Sequence, residues 1–353
     1  MPRNKTYAIA VVLTVAVVAG PALAQGAHSH AAKHAASARV GARGPRGPRG
    51  ARGPRGLKGA AGQAGPAGAP GAPGANGSSA GAFLRTIVVS PGGADPAANG
   101  ELLLSALAGV ASASAATPYL VWIEPGVYDI GSTPLRIPSH VDVQGSGQDV
   151  TTVAGEGPVT LIAAAGSELR ELTVSDTNGG SSAEAIDTSG GLNDVAATAA
   201  GGSAATAVLA NGPTLPLVNV TATATTGEPG SSARGIDTQN AIRIEGGTYS
   251  AIDDAASSQS AALFAESSTF ATGATFEATG GAAAYPVDVV GSSITATIET
   301  GTLEGAGGFF VAPGDKLDVG GSQIPGVVAS ISGTANCPDD WLPDFASASN
   351  SCS

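Results

Sequence analysis

The chain has 353 residues, of which 52 are glycine and 4% are aromatic, and its formal net charge is -12. So few large side chains exclude a helical bundle with a bulky core and point to packing by small and β-branched residues. The charge is divided: residues 25–80 carry eight basic groups and no acid, whereas from residue 81 on six basic residues face all 28 acids.

The first 24 residues read as a secretory signal. Arg3 and Lys5 give a basic start, Ala8 to Val18 is apolar apart from Thr14, and Ala22-Leu23-Ala24 offers a cleavage site. The apolar run falls short of the ~20 residues a spanning helix needs, and no second one follows, so no transmembrane segment is expected in the mature chain. The protein is therefore expected outside the cell or at its surface. Residues 25–40 form a disordered lead-in. Its His28, His30 and His34 could hold a metal weakly, but no metal or cofactor is expected.

From Gly41 to Asn76 a glycine stands at every third position, twelve times without interruption. Only glycine fits at the axis of three wound polyproline-II chains, so this period predicts a collagen-like triple-helix stalk and a homotrimer. Extended at ~3.1 Å per residue, it would reach roughly 110 Å. A flexible Gly/Pro linker would lack the period. Arg43, Arg46, Arg49, Arg52, Arg55 and Lys58 fill the third position of the first six triplets, and the last six are neutral. Such a rod would attract anionic surfaces or acidic polysaccharide. The simpler reading is that these cations bond carbonyls of neighbouring chains. Nucleic acid would bind only nonspecifically. Residues 77–83 are a linker.

The composition then changes to that of a folded domain, residues 84–330. "RTIVVSPGGAD" reads as a strand and loop. "NGELLLSALAGVASASA" reads as a helix opened by Asn99 or Gly100, with Glu101 at its positive end and Leu102, Leu103, Leu104, Leu107 and Val110 as its apolar stripe. "YLVWIEPGVYDIG" and "SHVDVQGSG" are strands followed by turns. Two coarse repeats follow. Leu169-x-x-Leu172-x-Val174 is echoed at Leu192 and Val195, then at Leu217 and Val220, and more loosely from Phe270 and Ile294. A second series runs Ile186, Val208, Ile236, Leu263, Val287, Phe310, at spacings of 22, 28, 27, 24 and 23 residues. Short strands at this period predict an all-β parallel solenoid, one coil per repeat, with inward apolar columns. A β-sandwich would need hairpin turns, which are less evident. The tail, residues 331–353, holds both cysteines, Cys337 and Cys352, and a secreted chain would join them in a disulfide.

The order "IVVSPGGAD", helix, "VWIEPGVYDI", "VDVQGSG" resembles the start of right-handed parallel β-helix proteins of the pectin-lyase-like superfamily, over roughly residues 84–330. The Gly-X-Y stretch resembles bacterial collagen-like proteins. The first resemblance implies a right-handed β-helix whose first coil is plugged by the helix. It also implies catalytic arginines or aspartates in members that cleave pectin. This chain departs from those patterns. Its head has one histidine, His140, no Gly-His-Gly turn and no Arg-x-Lys, and only Arg170, Arg234 and Arg243 lie among the coils.

Asp187 and Asp237 occupy equivalent places in "AIDT" and "GIDT", two coils apart, and Asp288 follows in that series. Alternate coils would set these carboxylates roughly 10 Å apart, near the ~6.5–9.5 Å of inverting glycosidases. Turn capping is the competing explanation. Asp253 and Asp254 could form a charged groove with Arg234 and Arg243, or plain surface pairs. Among the coil aromatics Tyr249, Phe264, Phe270, Phe276, Tyr285, Phe309 and Phe310, several share the inward pattern and are read as core. The expected function is a non-catalytic, trimeric structural or adhesive protein with polysaccharide as a partner. The alternative is a polysaccharide-active enzyme using Asp187, Asp237, Asp253 or Asp254.

Overall fold

A computed structural model describes residues 85–337, apart from 111, 179, 181, 213–215, 256–257, 282 and 325–331. The signal, lead-in, stalk and linker expected before residue 84 lie outside the described residues. So do most of the tail and Cys352; Cys337 is buried.

The described chain is a parallel β-solenoid. Every pairing between its named strands is parallel, as one coil stacked on the next requires. One sheet takes a single strand from each of eight coils, from Leu135–Ile137 through Ser182–Thr188, Ala204–Ala210, Ser232–Thr238, Gln259–Ala265 and Ala283–Val289 to Phe309–Val311. Seventeen strands form the other, bent sheet among the described residues. Its bend recurs at one corner. Glu171, Asp194, Asn219, Gly246, Gly273, Thr300 and Gly321 occupy that corner in successive coils, with φ between 52° and 68°. A left-handed residue turns the chain without a loop, which is why Gly, Asn and Asp fill five of the seven positions. Asn219 also donates to Asp194 of the coil before, at 3.2 Å.

The inward columns follow the repeats. Ile186, Val208, Ile236, Leu263 and Val287 are in register and fully buried. The last member is Phe309, not Phe310. Strand faces alternate, and Val311 must point inward over Val289, so Phe309 shares its face and Phe310 is turned out. In the other sheet Val174, Ala197, Ala222, Tyr249, Phe276 and Leu303 form one column, and the Tyr249 and Phe276 rings stack at 5.3 Å. Small residues are a packing requirement here. The position before each anchor is Ala185, Ala207, Gly235, Ala262 or Pro286. A Cβ on Gly235 would come within 2.7 Å of the Ala262 carbonyl oxygen.

The helix starts earlier than expected. It spans Pro96–Ala108, with Asp95 as N-cap accepting from the Ala97 amide and Pro96 at its first turn. Asn99 and Gly100 are therefore inside it and buried. The Asn99 amide donates to the Val127 and Gly93 carbonyls, tying the helix to the first coil. Gly100 lies against that coil so closely that a Cβ would meet the Asp129 carbonyl oxygen at 1.9 Å. Glu101 stands in the second turn rather than at the positive end. Leu103 and Leu107 enter the core, while Leu102 is exposed.

Candidate functional site

The outer face of the eight-stranded sheet is built from the residues that alternate with its core anchors. The residue after each anchor forms one column in register: Asp187, Leu209, Asp237, Phe264, Asp288, Phe310. Asp187, Asp237 and Asp288 thus stand on alternate coils, as expected from the sequence. Two residues before the anchors runs a second column: Glu184, Thr206, Arg234, Ala261, Tyr285.

In the last coils these columns enclose a cleft of about 350 Å³, lined by Arg234, Gln259, Phe264, Tyr285, Asp288, Val290 and Phe310. The Arg234 guanidinium lies 3.7 Å from the centroid of the Phe264 ring and bonds Asp237 at 2.6 Å. The rings of Tyr285 and Phe310 meet at 5.7 Å, inclined by 48°. Asp237 and Asp288 are buried, and the Oδ1 atom of each has no hydrogen-bond partner among the described residues. Glu184 Oε1, two coils before Arg234 in the same column, is in the same condition.

Burial raises all these carboxyls above the ordinary range. Asp288 is pushed up to about 7, with Arg234 opposing the rise. Asp237 reaches about 6, because burial outweighs its Arg234 partner. Glu184 reaches about 7 through burial and the negative charges of Asp187, Asp237 and Asp176. Asp187 is raised by burial, against a hydrogen bond from Asn211 and the charge of Arg136; Arg136 thus joins Arg170, Arg234 and Arg243 among the coils, on the strand Leu135–Ile137. None of the three column aspartates caps a turn: each lies inside a strand.

Turn capping does describe Asp253. It is fully buried and accepts from the Ala255 amide and the Thr226 and Ser231 hydroxyls. Asp254 is exposed and lines a separate open surface with Thr177, Gly201, Thr225 and Glu228. The expected groove joining both to Arg234 and Arg243 does not form. Arg234 pairs with Asp237, and Arg243 with Glu245 on its own strand. Sequence reasoning also missed the aromatics of the cleft. Tyr249, Phe276 and Phe309 are core, but Phe264, Phe270, Tyr285 and Phe310 are turned outward. Among the described residues no group of three or more His, Cys, Asp or Glu is placed to hold a metal ion.

The family described as Collagen triple helix repeat matches residues 24–82, which contain all twelve triplets. No curated protein matches the chain. Among solved structures, ORF18 of Geobacillus virus E2 is similar at 11% identity and a TM-score of 0.41, covering 72% of this chain and 60% of that one. Pectin methylesterase from carrot is similar at 12% identity and a TM-score of 0.39, covering 74% and 83%. PemA, the pectin methylesterase of Erwinia chrysanthemi, is similar at 9% identity and a TM-score of 0.31, covering 76% and 92%. The chain spans about 60% of the length of ORF18. These are likenesses of fold alone.

Proposed function

We propose that the chain is a secreted, trimeric polysaccharide-binding protein in which a collagen-like rod carries three solenoid heads. The organisation is a leader over 1–24, a lead-in over 25–40, a stalk over 41–76, a linker over 77–83, a head over 84–330 and a tail over 331–353 closed by Cys337 and Cys352. The cleft carries this reading: Phe264, Tyr285 and Phe310 are outward-facing rings beside polar groups with unfilled hydrogen-bonding capacity. Sugar rings stack on aromatic faces, and their hydroxyls donate to carboxylates. Three such clefts on one stalk gain avidity without strong single contacts. Among the described residues no helix is long and apolar enough to cross a membrane.

The test is retention of the full secreted chain on a panel of immobilised polysaccharides. Retention by at least one polymer, reduced about tenfold by Phe310→Ala, is expected. No retention on any polymer overturns the reading.

A second reading, a polysaccharide-active hydrolase or lyase, draws support from one observation. Asp237 and Asp288 share a column two coils apart and hold protons to about pH 6 and 7, which suits acid–base work. Release of new chain ends from a bound polymer, abolished by Asp237→Asn, would establish it; intact polymer after prolonged incubation would reject it.

A further inference from the structure

The cleft carries charge as well as aromatic rings: Asp288 and Arg234 both line it. Asp288 is 9% exposed, opens onto the cleft, and its Oδ1 has no partner among the described residues. The cation facing it, Arg234, is already neutralised by Asp237. The same outer face carries Glu184 and Asp187 farther along, with Arg136 acting on Asp187. Burial makes the ionised form of Asp288 costly, and Arg234, the one cation acting on it, is shared with Asp237; a ligand that brings a second positive charge favours that ionised form.

The kind of charge follows from the walls. Tyr285 and Phe310 present inclined rings beside Asp288, and Phe264 already has a cation on its face in Arg234. Aromatic faces attract cations, most strongly where water is excluded. An anionic sugar would meet like charge at Asp288, and the cleft's own cation, Arg234, is already bonded to Asp237. A neutral sugar would bring no charge to offset ionisation of Asp288. A protonated amine satisfies the rings and the carboxylate together.

We propose that Tyr285, Asp288 and Phe310 in this cleft bind an ammonium group carried on a saccharide, so that the head selects amino-sugar polymers with free amines. This rests on the polysaccharide-binding reading and narrows it. Rod and head would then attract opposite partners, the arginine-rich half of the stalk anions and the cleft cations.

The experiment is calorimetric titration of the full secreted chain with a β-1,4-linked glucosamine hexamer and with its fully N-acetylated counterpart. The free-amine hexamer is expected to bind at least about tenfold more tightly. Asp288→Asn should reduce it to the level of the N-acetylated hexamer, and Phe310→Ala should weaken it about tenfold. Glu101→Gln, which removes one exposed acid on the helix, should change nothing. Equal binding of the two hexamers overturns the amine proposal and leaves polysaccharide binding standing. Equal loss in Glu101→Gln and Asp288→Asn also overturns it, because the attraction is then to net charge. If neither hexamer binds, the amine proposal fails, and the immobilised panel decides separately whether polysaccharide binding fails with it.

Discussion

Arg234 lies over the ring of Phe264 on the next coil while its Nη1 holds Asp237 on its own strand. One side chain therefore ties an aromatic wall of the cleft to a buried carboxylate. Asp237 has a side chain only 4% exposed, so its charge depends on this partner. Arg234→Met is expected to destabilise the protein by about 2–4 kcal/mol at pH 7.5, since it leaves a buried charge unpaired. At pH 5, where Asp237 is protonated, the loss should fall below half of that. Urea denaturation at the two pH values measures both; an equal loss at each would show that the arginine acts by packing alone.

Stability should fall as the pH rises. Asp288 and Glu184 titrate near 7 and Asp237 near 6 in the folded chain, against an ordinary value of about 4 in the unfolded one. The folded state thus holds protons that the unfolded state releases. The stabilisation is fully present below about pH 4 and is lost as the pH climbs through the folded values. The melting temperature of the head is expected to drop between pH 5 and pH 7.5. Asp288→Asn should raise it by about 2–4 °C at pH 7.5, the shift that ~1 kcal/mol gives in a domain of this size. Near pH 4 variant and parent should converge. A melting temperature that rises with pH would contradict the assignment.

Gly280 marks where two coils nearly touch. Its φ is +78°, and a Cβ there would stand 1.7 Å from the Asp253 carbonyl oxygen. Gly280→Ala is expected to cost ~2–4 kcal/mol, from left-handed strain and displacement of the Asp253 strand. Gly273 has a similar φ and open space around its Cβ position, so Gly273→Ala should cost about 1–2 kcal/mol. Chemical denaturation of the two variants separates steric crowding from backbone strain.

The stalk carries a prediction of its own. In the proposed triple helix, Gly50→Ala would put a methyl group at the axis, where only glycine fits. The circular-dichroism signal of the rod should melt at a lower temperature, and the transition of the head should not move.

The coil period was legible because Ile, Leu and Val anchors recur at a regular spacing among Ala, Gly, Ser and Thr. The acidic column was legible through the echo of "AIDT" in "GIDT". The cleft was not, because its column mixes types: Asp237, Phe264, Asp288 and Phe310 share a face but no chemistry. The usable signal was positional. Phe264 and Asp288 each follow an anchor directly, and Arg234 and Tyr285 stand two before one. Taking Phe310 as the last anchor shifted that coil by one residue and hid its outward ring. The helix start was misplaced for a different reason. Asn99 and Gly100 have the residue types of a cap, but they serve contact with the first coil, and Asp95-Pro96 is the true start.

The proposed function stands or falls with one molecule carrying three clefts. Sedimentation equilibrium of the chain from residue 25 onward measures this directly. A mass three times that of the single chain, collapsing to one when the stalk is melted, is the expected result. A single-chain mass at every concentration, with no triple-helix signal, would contradict it.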